Sequence, residues 1–295
     1  MADTVIAITG ASGQLGRRAA EHILSSGGRS SLILITRSPD KVADLAKRGA
    51  EIRPGDFAHP AALTKALGGV GRLILISNTD LSKRNAEHGA AVEAAWAAGV
   101  RHVIYTSIVG ADPPNPSVVA PGHYFTEQAI RKSGMAWTFL RNSLYADYQV
   151  PEATRAIESG KLVHNRGEGR AAYVAREDCA LVAATILLQG GHENTTLDVT
   201  GPDAWSAPEL AALYSELGGR KIESVSLDDT AFIAGIVGAG GGDDHARYGA
   251  ELVASFGRAI REGYLSSCTD VVEKVTGRPA KTLREVVAPK LKPAK

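Results

Sequence analysis

Val5-Ile6-Ala7-Ile8-Thr9-Gly10-Ala11-Ser12-Gly13-Gln14-Leu15-Gly16-Arg17 is the stretch that decides the fold. Its apolar start reads as a buried strand, its glycines as a turn, and Leu15, Ala19 and Ile23 as one face of a helix. Glycine is needed where backbone turns tightly, approaches a pyrophosphate, or lets a helix lie close on a strand. A helix opened by Gln14 directs free N–H groups and the positive end of its dipole at whatever occupies the turn. The spacing is G-x-x-G-x-x-G, not the dinucleotide fingerprint G-x-G-x-x-G, so a plain strand-to-helix connection remains a reading beside a nucleotide site. The strand–turn–helix context near the N-terminus favours the nucleotide, with Gly10, Ser12, Gly13, Gln14 and Leu15 around its phosphates.

Outward from this stretch the pattern repeats. Ser31–Thr36, a weaker run near Ala50–Arg53, Leu73–Asn78, Val103–Ser107 and Trp137–Asn142 read as further strands. Between them Pro39 suits a first helical turn, Pro60 starts a helix with Leu63 and Leu67 on one face, and an alanine-rich helix carries Val92 and Trp96. Another helix begins near Gly122 after the proline-rich loop 112–116. Solidly apolar strands alternating with helices predict a doubly wound parallel α/β sheet covered on both faces, with ligands beyond the carboxyl ends of the strands. Past Tyr145 the pattern loosens into short strands at 162–163 and 171–174, a helix opened by Arg176-Glu177-Asp178, and a last strand at Thr196–Thr200. Ser206–Glu209 and Thr282–Glu285 have capping-box spacing. Gly235–Gly242 reads as a lid or a disordered loop, with Asp243-Asp244-His245 solvated beside it, and Leu252, Phe256 and Ile260 mark one more helix. With no repeat and no long linker, the second lobe is woven in: residues 1–145, completed by about 178–200, form the first lobe, and 146–177 with 201–295 form a smaller α+β lobe.

The 295 residues, 44% hydrophobic and 22% charged, describe a globular chain, and a net charge of +1 makes no case for nucleic acid or an anionic membrane surface. Cys179 and Cys268 lie far apart and form no metal or redox motif, and the histidines show no ligand spacing, so no metal is expected. Sparse cysteine, no leader-like N-terminus and no apolar run of membrane length point to the cytoplasm.

Arg37 ends the second strand, where a site for NAD usually carries a carboxylate for the ribose hydroxyls. A guanidinium there suits the 2′-phosphate of NADPH, with Lys41 assisting; the bland alternative is a solvated surface arginine. Asp56, next to Phe57, either accepts from the adenine amino group or caps the helix begun by Pro60.

Thr9–Gly16, Arg37, Tyr105-Thr106-Ser107, Leu140-Arg141-Asn142 and the tail Thr276-Gly277-Arg278-Pro279 together resemble the NmrA-like atypical short-chain dehydrogenases, most nearly the bacterial quinone reductases among them. The resemblance spans essentially the whole chain and is most specific between Thr4 and Asn142. It implies a Rossmann-type lobe, a small lobe closing over the nicotinamide, and hydride transfer without flavin to a quinone or similar aromatic acceptor, while Arg37 makes NADPH the expected cofactor, with NADH weaker. Within that frame Ser77, Asn78 and Thr79 contact the middle of the cofactor, and Gln128 reaches a ribose. Asn142 sits at the nicotinamide or acceptor, Tyr105, His123 and Tyr145 line the pocket, and Ser107 holds the place of the usual catalytic serine. His123 is either a proton donor or a helix-start histidine bonding backbone.

One departure matters. The usual Tyr-x-x-x-Lys pair reads Tyr124 and Gln128 here, where the family commonly has lysine; glutamine can bond a ribose but cannot help ionise a phenol. Quinone reduction suffers less than ketone reduction, because the acceptor is electron-poor and its reduced anion takes protons from water. The competing readings are a cofactor-sensing regulator without turnover and a tailoring reductase of a polycyclic quinone or ketone. A homodimer is the default oligomer.

Overall fold

The computed structural model describes residues 4–27, 31–241 and 243–291. In chain order its first half runs β1 (Ile6–Thr9), α1 (Gln14–Ser25), β2 (Leu32–Thr36), α2 (Ala43–Ala46), β3 (Glu51–Pro54), α3 (Pro60–Ala66), β4 (Arg72–Leu75), α4 (Arg84–Ala97), β5 (His102–Ile108), α5 (Ala120–Ser133) and β6 (Ala136–Asn142). The second half runs α6 (Gln149–Ser159), β7 (Lys161–His164), β8 (Arg170–Ala171), α7 (Arg176–Gln189), β9 (Thr195–Val199), β10 (Trp205–Ser206), α8 (Ala207–Gly218), β11 (Glu223–Ser226), α9 (Asp229–Ala239), α10 (Asp244–Arg261), α11 (Val271–Thr276) and α12 (Leu283–Val287).

Seven strands make one parallel sheet in the order β3-β2-β1-β4-β5-β6-β9. The order reverses between β1 and β4, so the loops leaving their carboxyl ends part and open a crevice. Parallel crossovers put helices on both faces, which is why the strands are apolar on both sides. On one face Leu15, Ala19 and Ile23 of α1 and Val182, Ile186 and Leu187 of α7 pack on Ile6, Ile8 and Leu34. On the other, Leu63 of α3, Val92 of α4 and Ile130 of α5 meet Leu73, Tyr105 and Phe139. A separate core holds Ala153, Leu162, Tyr173, Leu210, Tyr214, Ile260 and Leu283 from the later segments. Two short strand pairs, β8–β10 antiparallel and β7–β11 parallel, lie outside the main sheet. The chain enters these later segments after β6 and returns through α7 to β9, which pairs with β6.

Both expected capping boxes are formed, Ser206 with Glu209 and Thr282 with Glu285. Several local expectations are corrected. Gly235 and Gly238 are not in a loop but inside α9, which Asp228 caps through Ala231 N–H at 2.8 Å; Gly242 lies outside the described residues. Asp243 is not merely solvated, since it caps α10 at Ala246 N–H. The strand expected at 171–174 is reduced to Arg170–Ala171 and a single bridge from Val174 to Tyr145, whereas Pro39 does open a helical turn, of 3₁₀ type, and α5 starts at Ala120, close to the expected Gly122. At α9 and α10 a side-chain cap overrides the average propensity of the segment.

The approach of α1 to β1 needs Gly16. A Cβ there would lie 2.6 Å from the Gly10 oxygen and 2.9 Å from Ala11 Cα, atoms of a turn that cannot yield cheaply, and Gly10 itself holds φ +61°. Gly16→Ala should push α1 off the sheet and cost about 1–3 kcal/mol. Thermal denaturation reads this as a lowered Tm, and an unchanged Tm would show that the turn gives way freely.

Candidate cofactor and hydride-transfer site

The residues at the carboxyl ends of the strands gather around the glycine turn. Gly13 is the N-cap of α1 and offers no side chain, and the first turn carries no acidic residue. The first N–H groups of any helix lack intrahelical acceptors; α8, α9, α10 and α12 each give one of theirs to a side-chain cap, while α1, like α2–α7 and α11, has none. At α1 the N–H groups and the positive dipole end stay available beside exposed Gly13. Leu15 anchors the turn from below with a buried side chain. Ser12 accepts a 2.9 Å hydrogen bond from Thr36, which also accepts from Ser38 N–H, so the turn is tied to the end of β2. There Arg37 is exposed and makes no ion pair among the described residues, with exposed Lys41 nearby in sequence. Arg17, by contrast, is engaged by Asp44 and Glu21. Asp56 does not cap α3, whose N-cap is His59; its carboxylate accepts from Ala58 N–H at 3.1 Å. Phe57 sets its ring edge-on to His88.

Beyond β4 the backbone leaves the ladder, and three successive N–H groups are each taken by a side chain. Ile76 N–H donates to Thr9 Oγ1 at 3.0 Å, Ser77 N–H to Thr106 Oγ1 at 3.0 Å, and Asn78 N–H to His88 Nε2 at 3.1 Å. The remaining polar atoms of Asn78 are engaged as well: its amide donates to Glu87 at 2.6 Å and its carbonyl oxygen accepts from Arg84. The side chain of Asn78 is therefore turned toward α4, away from the use expected of it. Thr79 is exposed just beyond.

The groups expected to move protons are turned inward. Tyr105 is fully buried and shares a 2.9 Å hydrogen bond with His123 Nδ1. Burial raises the Tyr105 phenol far above its usual range, and burial with nearby Arg84 and His88 holds His123 well below its usual value. His123 Nδ1 bonds a phenol rather than backbone, which corrects the backbone-bonding reading, and its ring is held in the neutral form by burial. Ser107 donates at 2.6 Å to Glu127, whose carboxylate is fully buried and grips Arg141 at 2.9 and 2.7 Å. The serine hydroxyl serves an ion pair. Tyr124 and Gln128 are half-buried one turn apart on α5. At the end of β6, Asn142 is buried, donates to the Tyr145 hydroxyl at 3.4 Å, and leaves its Oδ1 without a donor.

Sequence reasoning passed over Arg84, Glu87, His88, Glu127 and Arg176. Arg176 bonds Gln14, pairs with Asp147 and lies 4.7 Å over the Tyr145 ring, bridging the glycine turn to the loop after β6. One signal was legible: Arg84 and Arg176 each stand in the first turn of a helix, where a cation opposes the dipole. Among the described residues no group of three or more His, Cys, Asp or Glu could hold a metal, and no helix is long and apolar enough to cross a membrane.

A family profile described as NAD(P)H-binding matches residues 10–189. Quinone oxidoreductase 2 of Escherichia coli (strain K12) is 34% identical over 284 residues, covering 96% of this chain and 98% of that protein. A crystal structure of the NADPH-dependent quinone oxidoreductase QOR2 from Escherichia coli, complexed with NADPH, matches with a TM-score of 0.91 at 33% identity over 97% of this chain and 99% of that one. The NAD(P)H azoreductase of Xenophilus azovorans is 31% identical over 282 residues, 95% of this chain and 96% of that protein. Citrobacter sp. triphenylmethane reductase complexed with NADP(H) matches with a TM-score of 0.89 at 37% identity, over 97% of this chain and all of that one.

The buried histidines make stability depend on pH. Burial, then Arg84, lowers His88 from 6.5 to about 3, and burial, then Arg166, lowers His164 to about 4. His123 and His102 shift the same way. Folded values lie below the unfolded one, so on acidification the unfolded chain takes up protons first. Their contribution is complete above about pH 6.5 and is lost as pH falls toward 4 and 3. Between pH 6.5 and 5 the loss is roughly 2 kcal/mol for each of His88 and His164. Thermal melts between pH 7.5 and 5 should show a steadily falling Tm; a flat profile would contradict the buried neutral rings.

Proposed function

The chain belongs to the NAD(P)H-binding, NmrA-like family, and on that premise we propose that it is an NADPH-dependent reductase passing hydride to a quinone or similar conjugated acceptor without flavin. The residues fit the dinucleotide. The uncapped start of α1 suits a pyrophosphate at Gly10, Ser12, Gly13, Gln14 and Leu15. Exposed Arg37, with no carboxylate at that strand end, suits the 2′-phosphate. Asp56 and Phe57 flank the adenine, Ser77, Thr79 and the Asn78 backbone meet the middle of the molecule, and Gln128 bonds a ribose. The undonated Oδ1 of Asn142 suits the amide N–H of the nicotinamide carboxamide.

Bound NADPH would supply hydride from nicotinamide C4. The chain's part is to bind, orient and exclude water, and geometry accounts for much of the acceleration such a site can reach. One observation carries the acceptor class: Ser107 is spent on Glu127, Tyr105 and His123 are hydrogen-bonded to each other, and Tyr124 has no lysine four residues on. A site without a proton relay favours an acceptor that needs none, whose reduced form takes its proton from solvent. Apolar walls for a flat ring come from Ile108, Ala111 and Val119, with Leu81 and the α10 residues Leu252 and Phe256 against them.

We assign the cofactor to residues 1–145 with about 178–200, and the smaller lobe, 146–177 with 201–295, to closing over an acceptor that also meets Leu81, Ile108, Ala111 and Val119 of the first lobe. Free Cys179 and Cys268 suit a reducing cytoplasm. A homodimer through the α4–α5 face is supported by Trp96, 63% exposed, and Phe125, flanked by Glu93 and Lys132, which an isologous contact can pair. Light scattering should report a dimer that Trp96→Glu converts to monomer; a wild-type monomer would refute it.

Loss of NADPH absorbance should require a quinone. Tight NADPH binding with no turnover on any quinone would turn the reading to the redox-sensing regulator that Gln128 also suits. Arg37→Ala should weaken NADPH by about 1.5–3 kcal/mol and leave NADH nearly unchanged; equal losses would remove the 2′-phosphate contact. Tyr124→Phe should keep most of kcat/KM while Asn142→Ala loses more, and a thousandfold fall for folded Tyr124→Phe would restore a tyrosine relay.

A further inference from the structure

The strand-to-loop junction after β4 has a feature that cofactor binding at the glycine turn does not itself require. Three consecutive N–H groups are held by side chains from three different elements: β1 through Thr9, β5 through Thr106 and α4 through His88. The two hydroxyls sit on strands of the sheet. His88 is the only ring in the set, and its role follows from what its partners can do. Asn78 N–H can only donate, so Nε2 accepts and the proton of the neutral ring sits on Nδ1. That proton goes to Thr126 Oγ1 at 2.9 Å, and Thr126 donates onward to the Gly122 oxygen at 2.8 Å. The ring is fully buried, with Arg84 and Glu87 on its own helix, Tyr105 on β5, His123 on α5 and Phe57 beside it.

The same helical turn closes on Asn78 from the other side. Arg84 and Glu87 take its carbonyl oxygen and its side-chain amide, so residues 84, 87 and 88, which share one face of α4, engage the backbone N–H, the backbone carbonyl and the side chain of one loop residue. Arg84 is 5% exposed, has no carboxylate partner among the described residues, and stands in the first turn of a helix. Burying a guanidinium against the dipole costs stability, and a chain selected for stability alone gains nothing by it. The loop so held is in contact with the glycine turn: Ile76 lies where a Cβ on Gly10 or Gly16 would meet it, at 3.5 and 3.0 Å.

We infer that His88 is a positioning residue for the cofactor: its hydrogen bond to Asn78 N–H, with Arg84 and Glu87 beside it, holds the loop after β4 in the shape that receives the middle of the dinucleotide. The inference rests on the glycine-turn placement proposed above. His88 touches nothing at the reacting atoms; it acts through the loop.

The test compares His88→Gln, which keeps an acceptor for Asn78 and a donor for Thr126, with His88→Met, which fills similar volume and keeps neither. Thr126→Val, which strands the Nδ1 proton, is the milder third variant should the methionine variant not fold. Two readouts are independent of turnover: amide hydrogen exchange at Asn78, and the NADPH Kd by fluorescence titration. The expected result is faster exchange at Asn78 and a Kd raised about tenfold in His88→Met, the worth of one hydrogen bond. Thr126→Val should give about a threefold rise, and His88→Gln values near wild type. In turnover with a quinone, the KM for NADPH should rise more than kcat falls. Equal Kd across folded variants, or equal losses in the glutamine and methionine variants, overturns the inference, since a ring that merely fills space would not be rescued by an acceptor. Gly13→Val is the control on the underlying reading. If it abolishes NADPH binding while His88→Met leaves binding unchanged, the inference alone has failed; if Gly13→Val also leaves binding unchanged, the glycine-turn placement has failed.

Discussion

A parallel strand that ends must hand its backbone N–H groups to something other than the next strand. At β4 that obligation falls on Ile76, Ser77 and Asn78, and it is met by Thr9, Thr106 and His88. An unpaired buried N–H costs as much as a lost hydrogen bond, so the loop takes this shape only once β1, β5 and α4 are all in place around β4. The crevice at the switch point of the sheet is thus made of backbone whose conformation is set from three sides. The glycine turn opposite completes it by bringing α1 within reach of the same loop, with Ile76 against Gly10 and Gly16.

A second constraint runs through β5 and α5. Glu127 is fully buried, and Arg141 and Ser107 share its oxygens while Asp112 takes the outer face of Arg141. Breaking such a pair from one side leaves a charge stranded and costs far more than the pair itself contributes. This is why the serine that ordinary short-chain dehydrogenases use in catalysis is not free here. The Tyr105–His123 pair is enclosed by the same layer, between His88 and Phe139. Residue types that suggest acid–base chemistry in a linear reading are here hydrogen-bonded between two strands, β5 and β6, and the helices α4 and α5.

What the sequence by itself determined is the periodic part. Apolar runs of four to seven residues separated by helical stripes dictate a parallel sheet, because only strands buried on both faces can be that apolar. Gly10, Gly13 and Gly16 between strand and helix dictate a close turn, because no other residue lets α1 approach β1 so nearly. Arg37 at the end of β2, the two capping boxes, and the family resemblance carried by these segments were equally legible, since each depends on neighbours a few residues away.

Tertiary structure alone decided which polar side chains remain available. Whether Ser107 faces a ligand or Glu127, whether His123 meets solvent or Tyr105, and whether Asn78 reaches into the crevice or back to Arg84 and Glu87 depends on partners 6 to 20 positions away. Asp56 turning to Ala58, and the helix in place of the expected glycine-rich loop, are shorter-range cases of the same competition. Hydrogen bonds of this kind carry no periodicity. A serine or histidine has the same composition and spacing whether it is spent on the core or left open, and only the closing of one element on another settles which.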